Sequence, residues 1–396
     1  MGKVQRIAAC PSLQAAWLEL GERLEEYLTW IINVQQIPAP TFHEAKRAHF
    51  IASTFVHLGL QDVRRDKLEN VYGRIPGLDA PNRKPVIISA HSDTVFPLET
   101  DLRTRRVDKK LFGPGIGDNS TGVGGLFACA DIMLRRRLRP LSDIWFVSNV
   151  GEEGLGDLRG MREVVRHFGR QALYIVVEGG LYGQIAHEAT GVRRFRIAVK
   201  TPGGHSWGSF GSPSAIHELV HLAAAIDRLS VSEKPKSTFN IGVIEGGTTI
   251  NSIASQASML LDLRSESGEQ LDMLVGQVKE IVNRAQIRAR RRQRTVSFEM
   301  VKVGERPAGR IARDAPLVRW AEESLKASGC PEVLYVSGST DANIPLSQGI
   351  PAVCIGLTES ANSHRVDEHL NIDFLPGGLR QLLLLALAAS DYQPQV

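Results

Sequence analysis

Val86-Ile87-Ile88-Ser89-Ala90-His91-Ser92-Asp93 is the stretch on which the reading of this chain turns. A short apolar run rich in β-branched residues reads as a buried strand, and it ends on a histidine and an aspartate, side chains that bind metals or move protons. Carboxylates recur in the same manner downstream: Gly117-Asp118-Asn119, then Gly151-Glu152-Glu153-Gly154 after the run Ile144–Val150, then Glu178 after Tyr174–Val177. With His364 near the end of the chain, these segments supply two imidazoles and three carboxylates. That set can hold a pair of bridged divalent ions, and one carboxylate is left over to move protons. The chain therefore reads as a dinuclear metallohydrolase.

Working outward, Thr121–Leu138 and Leu158–Phe168 have helical spacing and alternate with the strand-like runs. Such alternation implies an α/β domain, a mostly parallel sheet with helices on both faces, in which chemistry sits beyond the carboxyl ends of the strands. Upstream, apolar positions from about Leu18 to Ile37 predict one helix stopped by Pro38-Ala39-Pro40. Thr41-Phe42-His43-Glu44 then has the form of a capping box opening a second helix through His57. After about Thr190 the pattern changes. Strand-like runs at Arg193–Lys200, Thr238–Glu245, Ser258–Arg264 and Thr295–Val303, with helices at Pro213–Leu229 and Glu269–Arg288, give the β-α-β-β-α-β order of a ferredoxin-like α+β module. Past Pro307 the α/β character resumes through a helix at Ala315–Ala327, strands at Val333–Val336 and Ala352–Ile355, and a closing helix from Leu375 to Ser390. The expected organisation is a catalytic domain of residues 1–189 and 305–396, interrupted by an inserted lid or dimerisation module of residues 190–304.

Composition adds bounds. The 396 residues are 43% hydrophobic, enough for a large core, and the formal net charge of +4 argues neither for nor against a charged partner. The basic runs Arg135–Arg139 and Arg288–Arg294 end helix-like segments and lack interleaved aromatics, so no nucleic-acid partner is expected. The N-terminus offers only the brief apolar stretch Ile7–Cys10, and no long apolar segment stands out elsewhere, so neither a signal peptide nor a membrane span is expected. Four cysteines without paired spacing fit a reduced, cytoplasmic protein.

Taken together and in order, His91-Ser92-Asp93-Thr94-Val95, Gly117-Asp118-Asn119, Glu152-Glu153-Gly154, Glu178, Gly203-Gly204-His205, Gly246-Gly247-Thr248 with Asn251, and His364…Glu368 resemble the motif series of a zinc-dependent exopeptidase and deacylase family. That family includes carboxypeptidase G, peptidase T, acetylornithine deacetylase and succinyl-diaminopimelate desuccinylase, and the resemblance runs from about Pro38 to Leu370. It implies two divalent metal ions, zinc first, with cobalt or manganese suited to the same ligands. One ion would be held by His91 and Glu178 and the other by Glu153 and His364, with Asp118 bridging. His369 competes with His364 for the ligand role, and the H-x-x-x-E form selects His364.

The resemblance further implies that Asp93 accepts from the imidazole nitrogen turned away from the metal, and that Glu152 is the general base. It places a non-proline cis peptide at Asp118–Asn119. His205 would polarise the scissile carbonyl or stabilise the oxyanion, often from a partner subunit, with Asn251 and Arg264 holding a substrate carboxylate or carbonyl. The expected activity is exopeptidase cleavage of a short peptide, the alternative an N-acyl-amino-acid amidohydrolase, and a remote third reading a binding protein with a dead site. Asn-Ser-Thr-Gly after Asp118 departs from the lysine-containing form of several deacylases and leans the reading toward a peptidase. A homodimer through the inserted module is expected.

Overall fold

In a computed structural model, which describes residues 2–393, Val86–His91 is a strand buried along its whole length. It lies between Ile144–Asn149 and Leu173–Glu178, both parallel to it, and Ala352–Gly356 adds a fourth parallel strand beyond Leu173–Glu178. The register pairs His91 with Asn149 and Gly356 with Glu178, so the strand ends that carry chemistry finish side by side. The run reads as continuously apolar because both faces are covered. Val86, Ile88 and Ala90 share a core with the helices Thr121–Arg135 and Leu375–Ala389, while Ile87 packs with Met161 and Val164 of the helix Arg159–Phe168.

The sheet is antiparallel at its margins. Val71–Ile75 pairs antiparallel with Ile144–Asn149, Gln61–Arg65 lies outside it, and Gln184–Ala189 runs antiparallel to Ala352–Gly356. Leu334–Gly338 then pairs parallel with Gln184–Ala189. This sheet and its helices form one compact unit, made of the chain through Ala189 and again from Arg310.

Three expectations need correction here. The Leu18–Ile37 helix is two helices, Pro11–Glu22 and Leu24–Gln35, broken at Arg23, where ψ turns to 12° and the guanidinium reaches Glu26 at 2.7 Å and Asp131 at 3.2 Å. The helix after Pro40 begins at Ala45 and has no side-chain cap, because the Thr41 hydroxyl donates to Asp93 instead, at 2.8 Å. Finally, Ile372–Ala389 is long and apolar enough to cross a membrane, although 72% of it is buried within this unit. It packs against the helices Pro316–Ala327, Thr121–Arg135 and Lys3–Ala8, as the central helix of a core does.

The second unit, Thr190–Gly309, has a four-stranded antiparallel sheet in the order Ser237–Gly246, Gln256–Ser265, Gly191–Lys200, Ser297–Arg306. Along Gln256–Ser265 burial alternates, with Ala257, Met259, Leu261 and Leu263 inward, so only one face is covered. The helices Ala215–Asp227 and Gly268–Arg291 cover it through Leu219, Leu222, Leu271 and Val278. Ladder pairing continues past Gly304 to Arg306, opposite Val192, so this unit takes in residues 305–309, which the sequence reading gave to the other.

Candidate metal centre

Five side chains from five segments of the first unit meet beyond the carboxyl ends of the parallel strands. His91 and Glu178 are the last residues of their strands, and Glu153 follows Ile144–Asn149 by four positions. Asp118 comes from the turn before the helix Thr121–Arg135, and His364 from the loop before the short strand His369–Asn371.

They form two overlapping groups, His91 with Asp118 and Glu178, and Asp118 with Glu153 and His364; within each, candidate ligand atoms lie within 4.8 Å of one another. Asp118 is shared in a specific way. Its Oδ1 is 3.1 Å from His91 Nε2 and its Oδ2 is 3.2 Å from His364 Nε2. Glu178 Oε2 stands 3.6 Å from His91 Nε2, and Glu153 Oε1 stands 3.1 Å from His364 Nε2. The Asp118–Asn119 peptide is cis.

The protonation behaviour of these groups tests whether cations fit. Burial pushes the Glu178 carboxyl up to about 7, and the neighbouring charges of Asp118 and Asp341 add to it against the pull of His91. Contacts with Asp118 and Glu153 push the His364 imidazole up to about 10, and His91 is raised well above its usual value because Asp118, Asp93 and Glu178 outweigh its burial. Burial alone would raise Asp118, but the two imidazoles hold it well below the usual carboxylate range. The protein thus places protons where its carboxylates demand positive charge. Imidazole nitrogen and carboxylate oxygen in two such triads, with one carboxylate presenting an oxygen to each, suit a pair of divalent ions.

Asp93 is wholly buried and does something other than expected. His91 Nδ1 is 3.1 Å from the main-chain carbonyl of Asp93 and 3.6 Å from its carboxylate, so the backbone fixes the ring. The carboxylate instead accepts the main-chain N–H groups of Glu152 and Glu153, at 2.9 and 3.0 Å, together with the Thr41 hydroxyl. Those donors and His91 lower its pKa against the effect of burial. Asp93 is therefore the anchor of the Glu152-Glu153 pair. Glu152 itself is 6% exposed.

Three supporting residues were not legible as such. Arg47 is fully buried and donates to the carbonyls of Ile37, Ser92 and Gln35, bracing the His91–Asp93 turn from behind. Asp341 is fully buried, accepts from Asn149 Nδ2 at 2.6 Å, and follows the strand Leu334–Gly338 in a Ser-Thr-Asp turn, the strand-then-acid signal used elsewhere in the chain. Glu368, read only as a motif marker, is fully buried and accepts N–H groups from Gly115, Gly117 and Asp118, at 3.0, 2.7 and 2.8 Å. A Cβ on Gly117 would come within 3.0 Å of that carboxylate and 2.8 Å of Ser360 Cβ, so glycine is what lets the loop wrap it. His369 is not in the cluster; its ring lies 4.8 Å from that of Phe112.

The remaining expected residues belong to the second unit. His205 and Asn251 share one end of it, where Gly204-His205 pairs with Ser252-Ile253 and Ser206 N–H donates to Asn251 O. Arg264 does not join them. It pairs with Thr238 and Val192, seven residues along its strand from the Ala257–Gly246 pair and so about 23 Å away, with its Nε bonded to Asp262 at 2.6 Å.

The chain is similar in sequence and fold to several known proteins. A curated relative in Bacillus subtilis strain 168, the N-formyl-4-amino-5-aminomethyl-2-methylpyrimidine deformylase, is 24% identical over 416 residues, covering 92% of this chain and 94% of its own. The uncharacterized protein YqjE of the same organism is 24% identical over 351 residues, covering 83% and 88%. Among solved structures, a tripeptidase from Staphylococcus aureus subsp. aureus Mu50 has a TM-score of 0.76 at 20% identity, covering 93% of this chain and 99% of that one. The dipeptidase Dug1p of Saccharomyces cerevisiae has a TM-score of 0.78 at 12% identity, covering 97% and 99%. The model of peptidase family M20/M25/M40 matches residues 87–388, the span that carries every cluster residue described above, and this chain belongs to that family.

Proposed function

We propose that this protein hydrolyses an amide bond in a short peptide, with two divalent metal ions, zinc first, as cofactors. The observation that carries the reading is the shared carboxylate: Asp118 presents one oxygen to each imidazole, and each half of the cluster is completed by one further acid. His91, Asp118 and Glu178 would hold one ion, and Asp118, Glu153 and His364 the other. When bound, such ions lower the pKa of water and act as Lewis acids on a carbonyl oxygen.

The chain's own residues supply the rest. Glu152, adjacent to a ligand and anchored through Asp93, takes the proton of the attacking water and delivers it to the departing amine nitrogen. His205 Nδ1 accepts the main-chain N–H groups of Trp207 and Gly208, each at 3.2 Å, which leaves Nε2 as the ring nitrogen to donate to the carbonyl oxygen. An N-acyl amino acid offers the same bond, and the deformylase relative is named for removing a formyl group from an amine, which is amide chemistry on a compound that is not an amino acid. In this reading the protein works in the cytoplasm as a homodimer joined through its 190–309 unit.

The test is hydrolysis of a panel of short peptides and N-acyl amino acids by protein carrying a full metal complement, beside Glu152→Gln. Glu152→Gln should keep its metal and lose turnover roughly 100-fold or more. Turnover within about threefold of wild type would remove Glu152 from the base role. Fully loaded wild-type protein that cleaves nothing in the panel would overturn the activity itself.

A further inference from the structure

Thr41-Phe42-His43-Glu44 has the spacing of a helix cap but caps nothing with its side chains. Two of them turn instead toward the loop that carries Glu152 and Glu153. Thr41 donates to the Asp93 carboxylate at 2.8 Å, and that carboxylate accepts the main-chain N–H groups of both glutamates, which fixes the start of the loop. Glu44 fixes its end. The Glu44 carboxylate is 2% exposed and accepts Arg159 Nη2 on both oxygens, at 2.7 and 2.8 Å, and Arg159 opens the helix that follows the loop. The arginine reaches Glu44 alongside Gly151, the residue before Glu152: a Cβ there would come within 2.5 Å of Arg159 Nε and 2.6 Å of its Cγ. Its guanidinium carbon lies 4.9 Å from the centre of the Phe42 ring.

The loop between these two anchors is strained. Gly151 and Gly154 take φ of 67° and 51°, as glycine does readily, but Asp157 and Leu158 take 54° and 60°, a left-handed conformation that persists in residues with side chains only where neighbouring contacts hold it. A guanidinium bonded to both oxygens of a carboxylate fixes direction as well as distance, and removing it leaves a buried carboxylate without its cation.

We propose that Arg159 is a positioning residue for Glu152 and Glu153, and that Thr41–Glu44 is the post against which both ends of their loop are set. The inference rests on the reading that Glu153 and His364 would hold one ion and His91 and Glu178 the other. It adds that the two halves of the cluster have separate supports, since His91 and Glu178 end strands of the sheet while Glu153 stands on a loop clamped by Arg159.

The experiment measures zinc affinity by competition with a chromophoric chelator in His91→Ala, which keeps the Glu153 and His364 half, and in His364→Ala, which keeps the other. Each is combined with Arg159, Arg159→Met or Arg159→Lys. Amide hydrogen exchange is followed in metal-free chains that differ from wild type only at residue 159. Arg159→Met should weaken zinc roughly 10- to 100-fold in the His91→Ala chain and leave it within about threefold in the His364→Ala chain. Exchange in residues 150–158 should quicken roughly tenfold while the strands of the sheet keep their protection, and Arg159→Lys, which keeps the charge, should recover part of both effects. Should Arg159→Met fail to fold, Glu44→Gln, which keeps the shape and one acceptor oxygen, should show the same selectivity in milder form.

Equal weakening of both halves overturns the proposal and makes the Glu44–Arg159 pair a matter of general stability. Affinity unmoved in both halves overturns it as well, as does unchanged exchange in 150–158. Wild type that takes up no zinc defeats the metal reading of the preceding section instead, and the exchange measurement, made without metal, then decides the role of Arg159 by itself.

Discussion

Replacing Glu368 by glutamine removes one charge and changes nothing in size, yet it should weaken metal binding. The carboxylate accepts three main-chain N–H groups from the loop that carries Asp118, one of them the amide of Asp118 itself. A glutamine can keep its oxygen toward Gly117 and Asp118, but its NH2 then faces the N–H of Gly115, donor against donor. A hydrogen bond to a charged group is worth about 1.5–3 kcal/mol and a neutral one about 0.5–1.5, so the swap removes one strong bond and weakens two.

The cradle therefore loses about 3.5–6 kcal/mol, part of which the loop recovers by relaxing. If about 1.4–2.8 kcal/mol must be restored each time the loop is set for binding, affinity falls ten- to a hundredfold. The assay is zinc competition against a chromophoric chelator, run at pH 8. Burial, with the charge of Asp118 adding and the three N–H groups opposing, pushes Glu368 up to about 7 in the metal-free protein, so below that pH the wild type already carries a proton there. Affinity within about threefold of wild type, with only the melting temperature of the metal-free protein lowered, would refute the argument and make the cradle a matter of packing.

Other consequences can be checked as directly. His364→Ala should lose one ion per chain by elemental analysis and His91→Ala the other, while His369→Ala, whose ring lies against Phe112, should keep both. Because His364 holds a proton up to about pH 10 in the metal-free protein, loading at pH 7.5 should release it; calorimetry in buffers of different ionisation enthalpy would show this, and no proton release would contradict it. The sign for stability follows: with its pKa raised in the folded state, His364 stabilises the metal-free protein fully below about pH 6.5, and that contribution is lost as pH rises through about 10. Arg47→Met should cost about 2–4 kcal/mol in denaturant unfolding, since carbonyls of Ile37, Ser92 and Gln35 lose a buried donor; a loss below 1 kcal/mol would mean that water replaces it.

The parallel strands were legible because burial on both faces leaves an unbroken apolar run, and the acids and histidines that follow such runs stand out against it. Less of the margin was legible. Gln61–Arg65 is polar and largely exposed, so no periodicity announces it as a strand. The break at Arg23 costs one residue of helical phase, too little to disturb a pattern read over twenty. Thr41 through Glu44 has the spacing of a cap, but spacing cannot tell that the hydroxyl turns to a carboxylate 52 residues away. Arg264 ends an alternating run as a substrate-binding residue would, and only the strand register shows it distant from Asn251. Glu368 and Arg47 act on main-chain atoms of other segments, contacts that leave no signature in the order of side chains.

The order in which the cluster's residues leave the ribosome also has a consequence. His91, Asp118 and Glu178 are all present once the first half of the chain has been made, whereas His364 and Glu368 arrive near its end, as does the strand Ala352–Gly356 that flanks Leu173–Glu178. A nascent chain could thus present one ligand triad while its bridging aspartate still lacked the Glu368 cradle and the sheet a neighbour for its third parallel strand. Stable uptake of the proposed pair of ions would accordingly be an event of the finished polypeptide, and truncation before residue 352 should leave a product that neither completes its sheet nor retains both metals.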